Sequence, residues 1–115
     1  MNVAIMQPYF LPYLGYFQLA CAVDTFIVYD HIEFSKRGWI HRNRIIGNRD
    51  PQYITLPLRK AADNSLVSER KLADTRGKEK TKLSNRIYAT YKKAPFLDST
   101  FPVVEEILNN TLTNM

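Results

Sequence analysis

The sequence predicts an α/β fold that opens with a βαβ unit, continues as a mixed sheet with a following hairpin, and closes with two C-terminal helices. Three observations lead there. An apolar run and a β-branched, aromatic run flank a segment of helical spacing near the N-terminus. Two further strand-like runs are separated by a turn sequence. The last third carries apolar residues at helical spacing, interrupted by proline.

Taken in order, Asn2–Met6 has the look of a buried first strand. Gln7-Pro8, Pro12 and Gly15 make Gln7–Gly15 a loop. Gly15–Asp24 then reads as a helix with Phe17, Ala20 and Cys21 on one face, ended by Asp24-Thr25. Phe26–Tyr29 is a second strand. So short a strand–helix–strand favours a parallel pair with a right-handed crossover. Such units bind ligands beyond the carboxyl ends of their strands, here Gln7 and Asp30.

Arg42–Gly47 and Gln52–Leu58 read as a hairpin joined by Asn48-Arg49-Asp50-Pro51. Pro57 places its second strand near an edge, since proline cannot donate to a ladder. Residues 60–65 form a polar loop, and Leu66–Leu72 is expected to be another short strand. A helix capped by Asp74 or Thr75 is expected to run to about Lys93, with Leu83, Ile87 and Tyr91 as its inner stripe. Its Lys78, Lys80, Lys82 and Arg86 read as a solvated basic face. Pro95 stops it. Phe101-Pro102 begins the last helix, with Pro102 in its first turn and Val103, Val104, Ile107, Leu108 and Leu112 on the buried side.

The whole of 1–115 reads as one domain, with no repeat, low-complexity tract or internal boundary. Hydrophobic content of 45% with 23% charged residues suits a globular chain and not a disordered one. A net charge of +5 favours anionic partners. Seven Tyr, six Phe and one Trp are many aromatics for this length, and tyrosine suits the wall of a site or a core edge equally. The single Cys21 permits no intramolecular disulfide and reads as a small buried hydrophobe. The N-terminus lacks signal-peptide features and no run is long enough for a membrane span, so cytoplasmic residence is the expectation.

Two segments carry the chemistry. In Gln7–Tyr16, two prolines fix the path of the loop, Gly15 permits close approach at the helix start, and the first helical turn offers N–H groups to an anion. Gln7, Tyr13, Gly15 and Tyr16 are its candidate binding residues. In Asp30–Arg44, Lys36, Arg37, Arg42 and Arg44 surround Trp39, with Ser35 and Asn43 as further polar groups. Arginine forks suit phosphate or carboxylate, and Trp39 offers a face to a base or sugar ring. Asp30 is a candidate base or hydroxyl anchor. His41 is a candidate acid/base whose arginine neighbours lower its pKa. His31 and His41 have no third ligand at metal spacing, so no metal site is expected, and no motif names a cofactor.

These segments and their spacing resemble the WbqC-like family of bacterial proteins. The resemblance rests on Gln7-Pro8, Pro12-Tyr13-Leu14-Gly15-Tyr16-Phe17, Ala22-Val23-Asp24-Thr25-Phe26, Asp30, Phe34-Ser35-Lys36, Trp39 and Arg42-Asn43-Arg44-Ile45. Tyr53–Pro57 and Tyr91-Lys92-Lys93-Ala94-Pro95-Phe96 continue it. It implies a transferase of surface-polysaccharide (O-antigen) biosynthesis, joining an amino acid such as glycine to an activated sugar. The family's members are longer, so the resemblance also implies a truncated or short version, with a second copy or a partner completing the fold.

Three functions are compatible with these residues. In the first, the basic cluster neutralises a nucleotide-sugar or activated amino acid. In the second, the opening βαβ unit serves a nucleotidylyltransferase-like enzyme, although Tyr13 and Tyr16 stand where such enzymes place histidines. In the third, the basic helix and the 36–44 cluster form a non-enzymatic polyanion or nucleic-acid module, a reading placed below the other two.

Overall fold

A computed structural model describes residues 1–47, 49–73 and 77–109. The α/β class and the order of elements are as expected: a parallel strand pair around a helix, a hairpin, then two helices. The strands form two separate two-stranded sheets in place of one mixed sheet. β1 (Val3–Met6) pairs in parallel with β2 (Thr25–Val28), with Ala4 opposite Phe26 and Met6 opposite Val28. Between them runs α1 (Leu14–Ala22). β3 (Arg42–Ile46) and β4 (Pro51–Thr55) are antiparallel, with Arg44 opposite Tyr53.

Tyr16 is the residue by which α1 is buried. Its ring meets Phe26 of β2 edge-on at 5.3 Å and its hydroxyl donates to the Gln7 carbonyl at 3.1 Å. The face expected to be buried is instead largely open: Phe17 is 54% exposed and Cys21 is exposed, which corrects the reading of that cysteine. The cause lies in the sheet. Two short strands cover only the single stripe that a large aromatic reaches, and β1 itself buries only Ala4 while Val3 and Ile5 stay exposed.

In the hairpin, Gly47 donates to the Asp50 carbonyl, and a Cβ at position 47 would collide with that oxygen. Position 48 of the expected turn lies outside the described residues. β4 ends at Thr55, before Pro57, because proline cannot extend the ladder. The strand expected over Leu66–Leu72 is a 3₁₀ turn at Val67–Glu69, flanked by isolated bridges from Glu33 to Leu66 and from Leu58 to Leu72. The Glu69 carboxylate accepts from the Leu66 N–H at 3.0 Å, which favours the turn over extended pairing.

α2 (Lys78–Tyr91) begins after Gly77, whose φ of 75° suits glycine. The expected caps Asp74 and Thr75 lie outside the described residues. Leu83 and Ile87 are buried and Tyr91 packs beside them, as the spacing predicts. α3 (Leu97–Asn109) starts earlier than expected, so Pro102 lies inside it and not in its first turn. Proline fills that position with its ring on the exposed side, at the loss of one backbone donor. Phe101, Val104 and Leu108, spaced by three and four, form the inner stripe, while Val103 and Ile107, expected on the buried side, are exposed. Leu112 lies outside the described residues.

The main core joins Phe10 of the first loop, Ile45 and Ile54 of the hairpin, Leu83 and Ile87 of α2, and Leu108 of α3. A smaller cluster of Phe34, Ile40 and Val67 holds the two long loops together. Backbone bonds from Phe34 to Ser65 (2.9 Å) and from Val67 to Ile32 (2.8 Å) close that layer.

Candidate functional site

The two chemistry-bearing segments meet through Asn43. Its side-chain amide donates to the carbonyls of Phe10 (3.1 Å) and Leu11 (2.7 Å). Leu11 has a left-handed φ of 46°, an uncommon conformation for a branched residue, and this pair of bonds helps hold it. Residue 43 lies on β3 and the loop follows β1, so one carboxamide ties the hairpin to the parallel pair.

Beside this tie lies a cleft of about 290 Å³ lined by Tyr9, Pro12, Tyr13, Trp39, Asn43 and Arg44. Trp39 stacks on Tyr53 of β4 with the rings 6.0 Å apart and 15° from parallel. The Arg44 guanidinium stands 5.2 Å from the Trp39 ring centre. Arg42 stands 5.6 Å from Trp39 and 5.2 Å from Tyr53. Strand alternation puts residues 42 and 44 on one face, and the hairpin register brings Tyr53 opposite Arg44. The result is an aromatic platform with two cations over it.

The cations differ in what they already hold. Arg42 donates to the carbonyls of Arg37 (2.6 Å) and Gly38 (3.1 Å), fixing the loop that carries Trp39. Among the described residues the Arg44 guanidinium makes no hydrogen bond, so its fork is available to an anion. Gly15 has a packing reason: a Cβ there would meet the Tyr13 ring at 2.7 Å. Gln7 donates to the Tyr9 hydroxyl at 3.1 Å and so stands behind the cleft wall. Burial, and then the neighbouring Tyr9, hold the Tyr16 hydroxyl above its ordinary pKa.

Tyr13, Trp39, Asn43 and Arg44 are thus brought to one cleft, whereas the other sequence candidates are not among its walls. Lys36 pairs with Asp63 at 3.1 Å, with both groups well exposed. Arg37 and Ser35 contribute backbone carbonyls to the loop. Asp30 is exposed, and its carbonyl accepts from Ser68 at 3.1 Å. The His41 ring packs edge-on against Phe34 at 4.8 Å, beside a buried Arg70 that sits 4.4 Å from the same ring. Desolvation, then Arg42 and Arg70, lower the His41 pKa and keep the ring neutral. Tyr9 and Pro12 were missed as wall residues, and Tyr53 as the ring that stacks behind Trp39. For Tyr53 the signal was present, because fixing the hairpin register places it opposite Arg44.

On the other side of Asn43 and Arg44 is a larger cavity of about 390 Å³, walled by the hairpin, α2 and α3. Among the described residues no group of three or more His, Cys, Asp or Glu could hold a metal ion. No described helix is long and apolar enough to cross a membrane.

Fold and cleft together define a small α/β protein with an arginine- and aromatic-faced cleft at the junction of two sheets. The model of the WbqC-like protein family matches residues 7–115, and the chain belongs to that family. It is also similar to the uncharacterized protein Rv1507c of Mycobacterium tuberculosis (strain ATCC 25618 / H37Rv), with 46% identity over 57 residues. That match covers 50% of this chain and 25% of the relative, so the chain spans about a quarter of that protein's length. No solved structure matches the chain significantly.

Proposed function

We propose that the chain is the ligand-binding part of a transferase of bacterial surface-polysaccharide assembly. It holds an activated sugar or activated amino acid by its phosphate and its ring. One observation carries this reading: Arg44 stands over the Trp39 ring with no side-chain hydrogen-bond partner among the described residues, in a cleft walled by Tyr9 and Tyr13. The guanidinium suits a phosphate oxygen pair, and the exposed aromatic faces suit a base or sugar ring. Asn43 keeps both walls in register. Family membership supports the polysaccharide setting, and transfer of an amino acid such as glycine is the reaction this reading favours. Asp30 and His41 stay proposed as acid/base groups. Neither lines the cleft, whose own walls are suited to binding.

Trp39 is the only tryptophan, so its fluorescence reports directly from the site. Titration with UDP-sugars, dTDP-sugars, ATP and aminoacyl-adenylate mimics is expected to give saturable quenching with at least one of them. Arg44→Ala should weaken that ligand about tenfold or more, the loss of roughly 1.4 kcal/mol or above from a charged hydrogen bond. If no such ligand saturates, and random oligonucleotides bind with a steep salt dependence, the polyanion-module reading replaces this one.

A further inference from the structure

The parallel pair has one covered face and one open face. Tyr16 of α1 packs on Phe26, and Ala4, opposite Phe26 in the register, is buried on the same side. Strand alternation sends Val3, Ile5, Thr25, Ile27 and Tyr29 to the other side. There Val3 is 46% exposed, Ile5 62%, Ile27 43% and Tyr29 49%. Four large apolar side chains thus stand together in the open, with Ile5 directly beside Ile27 at the centre. Parallel strands ordinarily have both faces covered.

Charge narrows what covers this one. Asp24, Asp30 and Glu33 are the carboxylates of residues 1–35, and all sixteen Lys and Arg come at position 36 or later. An anionic lipid surface or a nucleic acid is met by cations, which this face lacks. The centres of interfaces between protein subunits are depleted in charge, which this face matches. Two copies of a chain with net charge +5 repel each other through their basic parts, and this face lets them meet without opposing cations. With Met1 at its margin, the face exposes on the order of 500 Å² per chain, so a face-to-face pair buries on the order of 1,000 Å², the size of a reversible interface. We infer that the face is the contact between two copies of this chain related by a two-fold axis. The two sheets pack about 10 Å apart, with Ile5 and Ile27 at the centre. No residue of the face lines the Trp39 cleft, so this inference is independent of the proposed function.

Sedimentation equilibrium of the full chain tests it. The mass is expected to rise reversibly from one chain to two with a dissociation constant of about 1–100 µM. Ile5→Lys places a cation at the centre of the face from an exposed position. It should weaken association at least tenfold while leaving the thermal midpoint of the dilute chain unchanged, because the separated chain keeps this face open. Val103→Lys, which changes an equally exposed apolar residue on α3, should leave association unaltered. Amide exchange supplies a readout that needs no variant: residues 3–6 and 25–28 should be protected increasingly as the unmodified chain is concentrated. A chain that stays single at every concentration up to about 200 µM overturns the inference. So does association that Val103→Lys weakens as much as Ile5→Lys, or exchange in the two strands that ignores concentration. Arg44→Ala should bind ligand poorly and associate normally, which keeps failure of this inference separate from failure of the ligand reading.

Discussion

Arg42 and Arg44 are two residues apart on one strand and both stand over Trp39, yet they differ in what they hold. Arg42 spends its donors on two loop carbonyls, so replacing it loosens the loop that carries Trp39. The Arg44 guanidinium makes no hydrogen bond among the described residues, which leaves its donors open for the ligand proposed above. His41, just before β3, faces the other way and meets Phe34. Its folded-state pKa lies below the ordinary 6.5 because burial, Arg42 and Arg70 disfavour the imidazolium. The unfolded chain therefore takes up a proton first as pH falls, and folding stability declines below about pH 6.5 through the lowered folded value. His41→Gln should flatten the stability profile between pH 7 and pH 5.5, measured by urea unfolding at each pH. An unchanged slope would remove His41 as its source.

The elements differ in how much they bury, and the difference predicts where the fold is sensitive. Ile54 of β4 is 1% exposed in the main core, while Ile5 of β1 is 62% exposed on the outer side of the parallel pair. Ile54→Ala should cost about 2–5 kcal/mol, because the cavity it leaves lies between hairpin and helices that cannot collapse fully. Ile5→Ala should cost less than about 1 kcal/mol. Chemical denaturation of the two variants checks the contrast. Comparable losses would mean that the outer face of β1 is covered in solution. The helices show the same logic: the stripe Leu83, Ile87 and Tyr91 was readable from spacing alone, whereas α3 carries apolar residues on adjacent stripes and packing against the core buries only that of Phe101, Val104 and Leu108.

At the scale of the whole molecule, two small sheets and three helices pack together, and among the described residues Asn43 makes the side-chain tie between the hairpin and the first loop. Asn43→Ala removes both bonds and leaves the Phe10 and Leu11 carbonyls without them. A loss of about 1–3 kcal/mol is expected, together with faster proteolysis in the loop before α1 and weaker ligand quenching of Trp39. Unchanged stability and proteolysis would show that core packing around Phe10 suffices to hold the two parts together.

By itself the sequence determined the α/β class, the order of elements, the parallel opening, the hairpin, the inner stripe of α2 and the two segments that supply the cleft. These follow from local patterns: strand composition, turn residues, helical spacing, and the motifs that mark the WbqC-like family. Only the tertiary structure decided that the strands form two sheets, that Leu66–Leu72 coils into a 3₁₀ turn, and that Cys21 and Phe17 face outward. It also decided which of the clustered charges are engaged among the described residues. Lys36 and Arg42 are engaged by Asp63 and by loop carbonyls far along the chain or across a turn, and spacing carries no record of such partners. The fold class lives in nearest-neighbour preferences. The site is made by contacts between residues that sequence separation keeps apart, such as Asn43 with Leu11 and Trp39 with Tyr53.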